Sequence, residues 1–395
     1  MLLLTQCAAC AAPLGLTSGK KCGRCSTRYC GPECQVQHWK EGGHDLLCKK
    51  IKRSGGAEQY NANQKYTEAV TRAAEACADD TKGQTCYICT QALHWKTKEG
   101  LVRGCSCRGT AGFAHVSCLA EQVKILVAEA EENNFLGSDK FEARWARWYT
   151  CSLCEQDYHT VVRCALGWAC WKTYLGRPET DKLRRTAMNL LGGGLYSAEH
   201  HADAASGMEA ELSMMRRIGG SDNSDIFVAQ TNLASTYQAL GRLDQAMCLR
   251  REAYAGGLKL FGEEDNNVLS AANNYAKSLL TLKRSEEAKA LLRKTMPVAR
   301  RVLREEHRIT LKMRWNYALA LCCDPSATLD DVSEGVSTLE DAGRIARRVL
   351  GGAHPTTEGI ENALRDAGAA LAAREGDCVT SVCEAVAAVN LLDGS

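Results

Sequence analysis

The chain has no excess of either charge: 49 Lys and Arg stand against 47 Asp and Glu in 395 residues. So even a balance gives no support to nucleic acid binding. No apolar run approaches the roughly 20 residues that cross a bilayer, so no membrane span is expected. Met1-Leu2-Leu3-Leu4 is too short for a signal-peptide core, and Cys7 follows at once. A Walker-type phosphate loop is missing, since Gly192-Gly193-Gly194 has no Lys-Ser/Thr downstream. No nucleophile elbow, His-Glu-x-x-His pair or couple of catalytic carboxylates stands out, and no catalytic residue is assigned.

Cysteine is plentiful, with 22 residues. Fourteen of them fall with two histidines into two consecutive frames. The first reads Cys7, Cys10, Cys22, Cys25, Cys30, Cys34, His44, Cys48; the second reads Cys86, Cys89, Cys105, Cys107, His115, Cys118, Cys151, Cys154. Cys-x-x-Cys puts two thiolates on one tight turn, close enough to share a tetrahedral Zn²⁺. A chain this long, with His at ligand positions, points to metal rather than disulfides and to a reducing compartment. The expectation is a soluble intracellular protein, cytoplasmic or nuclear. It should hold four zinc ions, all fully protein-ligated and without the open position of a catalytic zinc. Metal rather than apolar burial is expected to organise the N-terminal third.

The segment Tyr29-Cys30-Gly31-Pro32-Glu33-Cys34-Gln35-Val36-Gln37-His38-Trp39, with its flanking ligands, resembles the MYND zinc finger over residues 5–53. That family interleaves its ligands. The resemblance implies one ion on Cys7, Cys10, Cys30 and Cys34 and another on Cys22, Cys25, His44 and Cys48. His38 also stands at ligand spacing from Cys34, but the family register selects His44. Two ions can cross-link a loop-rich module too small to build a core. MYND fingers bind short peptides, so Tyr29, Gln35 and Trp39 are candidate peptide contacts, with packing against the zinc loops as the alternative for Tyr29 and Trp39. Lys49-Lys50-Ile51-Lys52-Arg53 reads as a localisation run or a solvated helix end.

A helical linker over 57–80 comes next, with Ala69, Ala73, Ala76 and Cys77 at helical spacing. Residues 83–158 resemble a RING-CH finger: Cys-x-Cys, Arg108-Gly109, seven residues in all, then His115-x-x-Cys118. The resemblance implies one ion on Cys86, Cys89, His115 and Cys118, and another on Cys105, Cys107, Cys151 and Cys154. It also implies ubiquitin ligase activity, with Ile88 and Val123 docking the conjugating enzyme. The ligand order is shared with PHD fingers. Three departures stand out: no Pro follows Cys151, Glu155 stands where a clamping cation is common, and 32 residues separate Cys118 from Cys151.

A period of 42 residues then appears. Asn232-Leu233-Ala234 recurs as Asn274-Tyr275-Ala276 and as Asn316-Tyr317-Ala318, while Ala204, Ala246 and Ala288 keep the same step. Pro325 marks a turn where the last step lengthens. Residues 159–375 resemble tetratricopeptide repeats of the kinesin-light-chain type, followed by a capping helix or tail over 376–395. Such repeats stack into a superhelical all-α solenoid with a groove lined by first helices. Asn232, Asn274 and Asn316 then either contact a peptide backbone or cap or bridge neighbouring helices, and Lys277 and Arg314 are expected to add charge selectivity to the groove.

The fold class expected is multidomain: two small cross-brace zinc fingers, loop-rich and α+β, then an all-α solenoid of tetratricopeptide type. The leading functional reading is a RING-type ubiquitin ligase without covalent intermediate, partnered by a conjugating enzyme and short peptide segments. The alternatives are a non-catalytic adaptor and a PHD-like chromatin reader.

Overall fold

The computed structural model describes residues 6–14, 18–219, 224–324 and 326–392, excepting the side chains of Gly219 and of 375–392. Met1–Leu4 and the expected turn at Pro325 lie outside the described residues.

Regular structure is sparse in the first fifty residues. β1 (Lys20–Lys21) pairs antiparallel with β2 (Arg28–Tyr29). α1 (Pro32–Lys40) begins with Pro, whose missing N–H costs nothing in the first turn. α2 (His44–Arg53) follows directly. Besides cysteines, the buried apolar set here among the described residues is Leu14, Tyr29, Ile51 and Ala57, too few to order such a module without cross-links.

α3 (Ala57–Ala76) buries Ala62, Tyr66, Val70 and Ala73 on one stripe and packs on α6 (Thr160–Tyr174). The interfinger segment is therefore an integral wall rather than a free spacer. In the second finger, single β-bridges join Val102 to Ala114 and Thr150 to Asp157. α4 (Val116–Glu132) is followed by α5 (Asp139–Trp145), which is N-capped by the Ser138 side chain. A 3-10 turn, Ala146–Trp148, leads back to the last ligand pair. α7 (Lys182–Ser197), capped by Asp181, and α8 (His201–Gly219) complete this unit.

One core runs through α3, the second finger and α4–α7. It includes Phe113, Val123, Phe141, Trp148, Trp168 and Trp171. Apolar burial therefore organises the second finger too, against the expectation that metal alone would do so. Trp168 and Trp171, which help fill this core, lie 82 and 85 residues beyond Cys86 and outside the finger, where composition of the finger alone gives no sign of them.

The chain divides into two compact units, Met1–Gly220 and Ser221–Ser395. α6–α8, within the stretch read as repeats, pack in the first unit. The second holds α9 (Ser224–Ala239), α10 (Leu243–Phe261), α11 (Asn266–Thr281), α12 (Ser285–Leu303), α13 (Arg308–Cys322), α14 (Leu329–Leu350) and α15 (Pro355–Leu392). Each helix packs on the next, and α11 also touches α13. Ala234, Ala246, Ala276, Ala288 and Ala318 are all buried; their small side chains let backbones approach closely. Asp265 caps α11, and Thr328 with Asp331 forms a capping box on α14. α15 is continuous to Leu392, so no break sets off the 376–395 segment, whose last three residues lie outside the description. Among the described residues no helix is long and apolar enough to cross a membrane.

Candidate metal centres and contact surfaces

Four Cys-x-x-Cys pairs fold into the same turn. In each, the first cysteine's N–H donates to the carbonyl five residues on: Cys7 to Ala12, Cys22 to Thr27, Cys86 to Gln91 and Cys151 to Gln156, at 2.8–3.0 Å. In each, the first cysteine's carbonyl accepts from the residue after the second: Ala11, Ser26, Thr90 and Glu155. Those four residues all take left-handed φ values, between +57° and +63°. None is glycine, so each holds a conformation that side chains disfavour. The turn also aims amides at sulfur: the Ile88 and Leu153 N–H groups lie 3.4 Å from the Sγ atoms of Cys86 and Cys151.

The structure brings sixteen residues into four groups: Cys7, Cys10, Cys30 and Cys34; Cys22, Cys25, His44 and Cys48; Cys86, Cys89, His115 and Cys118; Cys105, Cys107, Cys151 and Cys154. Within each group the donor atoms all lie within 4.8 Å of one another. The two frames are thus interleaved. Sulfur pairs sit 3.6 Å apart for Cys10–Cys30, 3.4 Å for Cys30–Cys34, 3.9 Å for Cys22–Cys48 and 3.7 Å for Cys107–Cys151. A disulfide is about 2.05 Å long, whereas the edge of a tetrahedron with Zn–S bonds of about 2.3 Å is about 3.8 Å. The donors therefore fit a tetrahedral ion of zinc's size and preference. Both frames therefore contain Cys/His clusters of the zinc-binding kind.

The thiols divide electrostatically. Burial raises the Cys7 thiol, but amides of Cys10, Cys30 and Ala9 outweigh it and bring it to about 6. Cys154, raised by burial, is brought to about 7 by the Gln156 amide and neighbouring thiols. Other members move oppositely. Hydrogen bonding with Cys30 and Cys10 pushes Cys34 up to about 12. Burial and the Cys25 and Cys22 thiols push Cys48 up to about 11. Thiols so close cannot all ionise together unless a cation joins them.

Outer residues orient the histidines. His115 Nδ1 faces Cys89 at 3.3 Å and Cys118 at 3.6 Å, while its Nε2 lies 3.4 Å from the Ala92 carbonyl. That contact fixes which nitrogen is turned to the ligand side. His44 Nε2 lies 3.4 Å from Cys25 Sγ. Its ring stacks on His38 at 5.1 Å, and His38 Nδ1 meets the Tyr29 hydroxyl at 3.0 Å. His38 thus belongs to the shell around the ligand, and Tyr29 is fully buried, out of reach of a peptide. Gly112, with φ +86°, leaves no room for a side chain: a Cβ there would lie 2.9 Å from Cys107 Sγ.

Ile88 is 36% exposed and Leu153 51%. Both hold the third position of their knuckles, and Tyr87 Oη lies 3.1 Å from Ser152 Oγ, tying the two loops together. Leu153 was not singled out from the sequence, although its place matches that of Ile88. Val123 is 1% exposed and belongs to the common core. It cannot dock a partner, because Val116, Val123, Val127 and Ala130 form the face of α4 turned inward. A cation also stands beside Glu155: Arg147 Nη2 is 3.9 Å from its carboxylate, and Arg147 Nη1 donates to the Cys151 carbonyl at 3.1 Å.

In the second unit, Asn232 on α9 and Asn274 on α11 are half-buried and Lys277 is exposed. Asn316 on α13 is buried, its Nδ2 donating to Asn273 Oδ1 at 2.9 Å. Arg314 is 4% exposed and reaches Glu305 at 3.2 Å and Asp341 at 3.8 Å. These two residues bridge helices and are not available to a peptide. The shared register is real, but α11 covers one copy of it.

Residues 7–48 match the MYND finger family, and residues 86–135 match the RING-variant domain. The second match ends short of Cys151 and Cys154, which the fold returns to the finger. No curated protein matches the chain. Among solved structures, the chain is similar to the nearly identical TPR-like repeats of a Podosopora anserina kinesin light chain. Identity is 17%, coverage is 60% of this chain and 98% of that one, and the TM-score is 0.42. It is also similar to BtubC (BKLC) from P. vanneervenii, at 15% identity, 61% and 92% coverage, and a TM-score of 0.46. The chain thus carries a MYND finger and a RING-variant domain, followed by helices that each pack on the next.

Proposed function

We propose that this protein is a RING-type ubiquitin ligase that positions a charged conjugating enzyme and forms no covalent bond with substrate. The observation that carries the reading is the pair of exposed aliphatic side chains, Ile88 and Leu153, on two zinc loops held together by Tyr87 and Ser152. Burying one such side chain in a partner contributes about 1.5–3 kcal/mol, enough for a transient docking contact. The substrate lysine then attacks the thioester carbonyl, and the finger's part is orientation. Zinc at the four sites would be structural, because four protein donors leave no coordination position open. Arg147 supplies the cation that Glu155 does not. Partners are collected by the MYND finger and by the repeats, where Asn232, Asn274 and Lys277 remain as peptide contacts. In this reading the modules are residues 5–53, 83–158 and the helices that follow.

The test is ubiquitin transfer by the zinc-loaded full chain with a panel of conjugating enzymes. Ladder formation is expected, and Ile88→Ala or Leu153→Ala should each slow it about ten-fold or more with metal content unchanged. Silence across the panel, with folded zinc-loaded protein, assigns the chain to the second reading, a non-catalytic adaptor. Glu155, an acid at the edge of the docking loops, is the residue that favours that alternative.

A further inference from the structure

Away from the fingers' contact surfaces, a cavity of about 130 Å³ opens between α3, α6, α7 and the start of α8. It is well below the pockets of about 300–1,000 Å³ that take drug-sized ligands. Its lining is of two kinds. Ala69, Trp168 and Leu195 are apolar, whereas Lys65, Glu68, Arg72, His200 and Asp203 carry charge or hydrogen-bonding groups.

Two of those charges are already spent on each other, since Lys65 meets Glu68 at 2.7 Å. Arg72 is steadied by donating from Nη1 to His200 Nε2 at 2.6 Å, which leaves its charge without a carboxylate. Asp203 is half-buried. Among the described residues no ion pair joins it to Arg72. Yet the fields of both reach the same Cys164 thiol, Asp203 raising it and Arg72 lowering it. Opposite charges thus flank one small cavity without closing on one another. Burial dominates at Cys164 and pushes it up to about 12, so it remains a thiol and offers neither a nucleophile nor a metal ligand at neutral pH.

This lining rejects most small ligands. An inorganic anion would face Asp203, and a divalent cation would face Arg72. A purely apolar ligand would leave both charges unpaired. A molecule carrying both charges on one carbon, with a short apolar body, satisfies all three surfaces.

We propose that this cavity binds a free α-amino acid with a small apolar side chain, its carboxylate on Arg72, its ammonium on Asp203 and its side chain against Trp168 and Leu195. This makes the first unit a sensor of a metabolite as well as a carrier of fingers. The proposal does not depend on the ligase reading.

Isothermal titration of the zinc-loaded full chain with valine tests it. Saturable binding is expected, weakened about ten-fold or more in both valinamide and isovalerate, each of which lacks one charge. Arg72→Gln should weaken valine but leave valinamide unchanged, and Asp203→Asn should weaken valine but leave isovalerate unchanged. Metal content and circular dichroism check that each variant is folded, and the two ligand analogues test the claim on the native chain if a variant is not. No binding of valine, alanine or leucine at tens of millimolar would overturn the proposal. So would equal binding of valine and its analogues, or binding only of peptides with a free N-terminus.

Discussion

Gly112→Ala isolates one metal centre from the other three. The new Cβ would stand 2.6 Å from Cys107 Cβ, 2.9 Å from Cys107 Sγ and 3.4 Å from Cys105 Sγ, at φ +86°. A left-handed alanine costs about 1–2 kcal/mol, and crowding a packed site costs about 1–3 kcal/mol more. The sum, about 2–5 kcal/mol, weakens the Cys105, Cys107, Cys151 and Cys154 site roughly 30- to 4,000-fold at about 1.4 kcal/mol per decade. Gly109 is the matched control: it is also left-handed, at φ +61°, but nothing lies within 4 Å of its would-be Cβ. Gly109→Ala should therefore show only the backbone part. The assay is metal release from the full chain into a chromogenic chelator titrated upward. Gly112→Ala should lose one equivalent at far lower chelator concentration than wild type, with the remaining equivalents retained as before. If Gly112→Ala holds its metal as tightly as Gly109→Ala, the close approach of Gly112 to the cysteine sulfurs is not what positions this site.

Val123→Asp should destabilise the first unit by about 3 kcal/mol or more, since it places a charge in the apolar core; urea unfolding followed by tryptophan fluorescence reads this, and an unchanged midpoint would return Val123 to the surface. Asn316→Ala should cost about 1–3 kcal/mol by orphaning Asn273 Oδ1, whereas Lys277→Ala should stay within about 0.5 kcal/mol while weakening peptide capture. The reverse pattern in paired thermal melts and pull-downs would remove the bridge. Burial, aided by Lys124, brings Lys172 down to about 8 from 10.5. Between those values the unfolded chain keeps a proton that the folded chain has lost, so stability should rise with pH across about pH 8 to 10.5. Lys172→Met should flatten that slope in melts recorded through the window; an identical slope in the variant would assign it to other groups.

The metal ligands were the most legible part of the chain, because Cys-x-x-Cys is a local geometry. Four residues close the knuckle, and its hydrogen bonds to Ala12, Thr27, Gln91 and Gln156 stay within five positions of the first cysteine. The helical repeats were legible for a related reason: a 42-residue step keeps Asn232, Asn274 and Asn316 in one register on α9, α11 and α13. Partner-facing residues were harder to read. An apolar stripe on α4 looks the same whether a core or a conjugating enzyme covers it. What covers it is the shared core of α3, α5 and α6, whose residues lie before and well after it in sequence. Arg147 and Glu155 pair by the same kind of long-range approach, since eight positions separate them along the chain while 3.9 Å separates them in space.

The sequence by itself determined the donor sets, the knuckle turns and the repeat period, because each depends on residue type and short-range spacing. Tertiary structure alone decided which members of those patterns face solvent. It buried Val123, Asn316 and Arg314 under neighbouring helices and left Ile88 and Leu153 uncovered. Exposure is a property of what packs on top, and burial of an apolar or hydrogen-bonded side chain is favourable only when a complementary surface arrives from elsewhere in the chain.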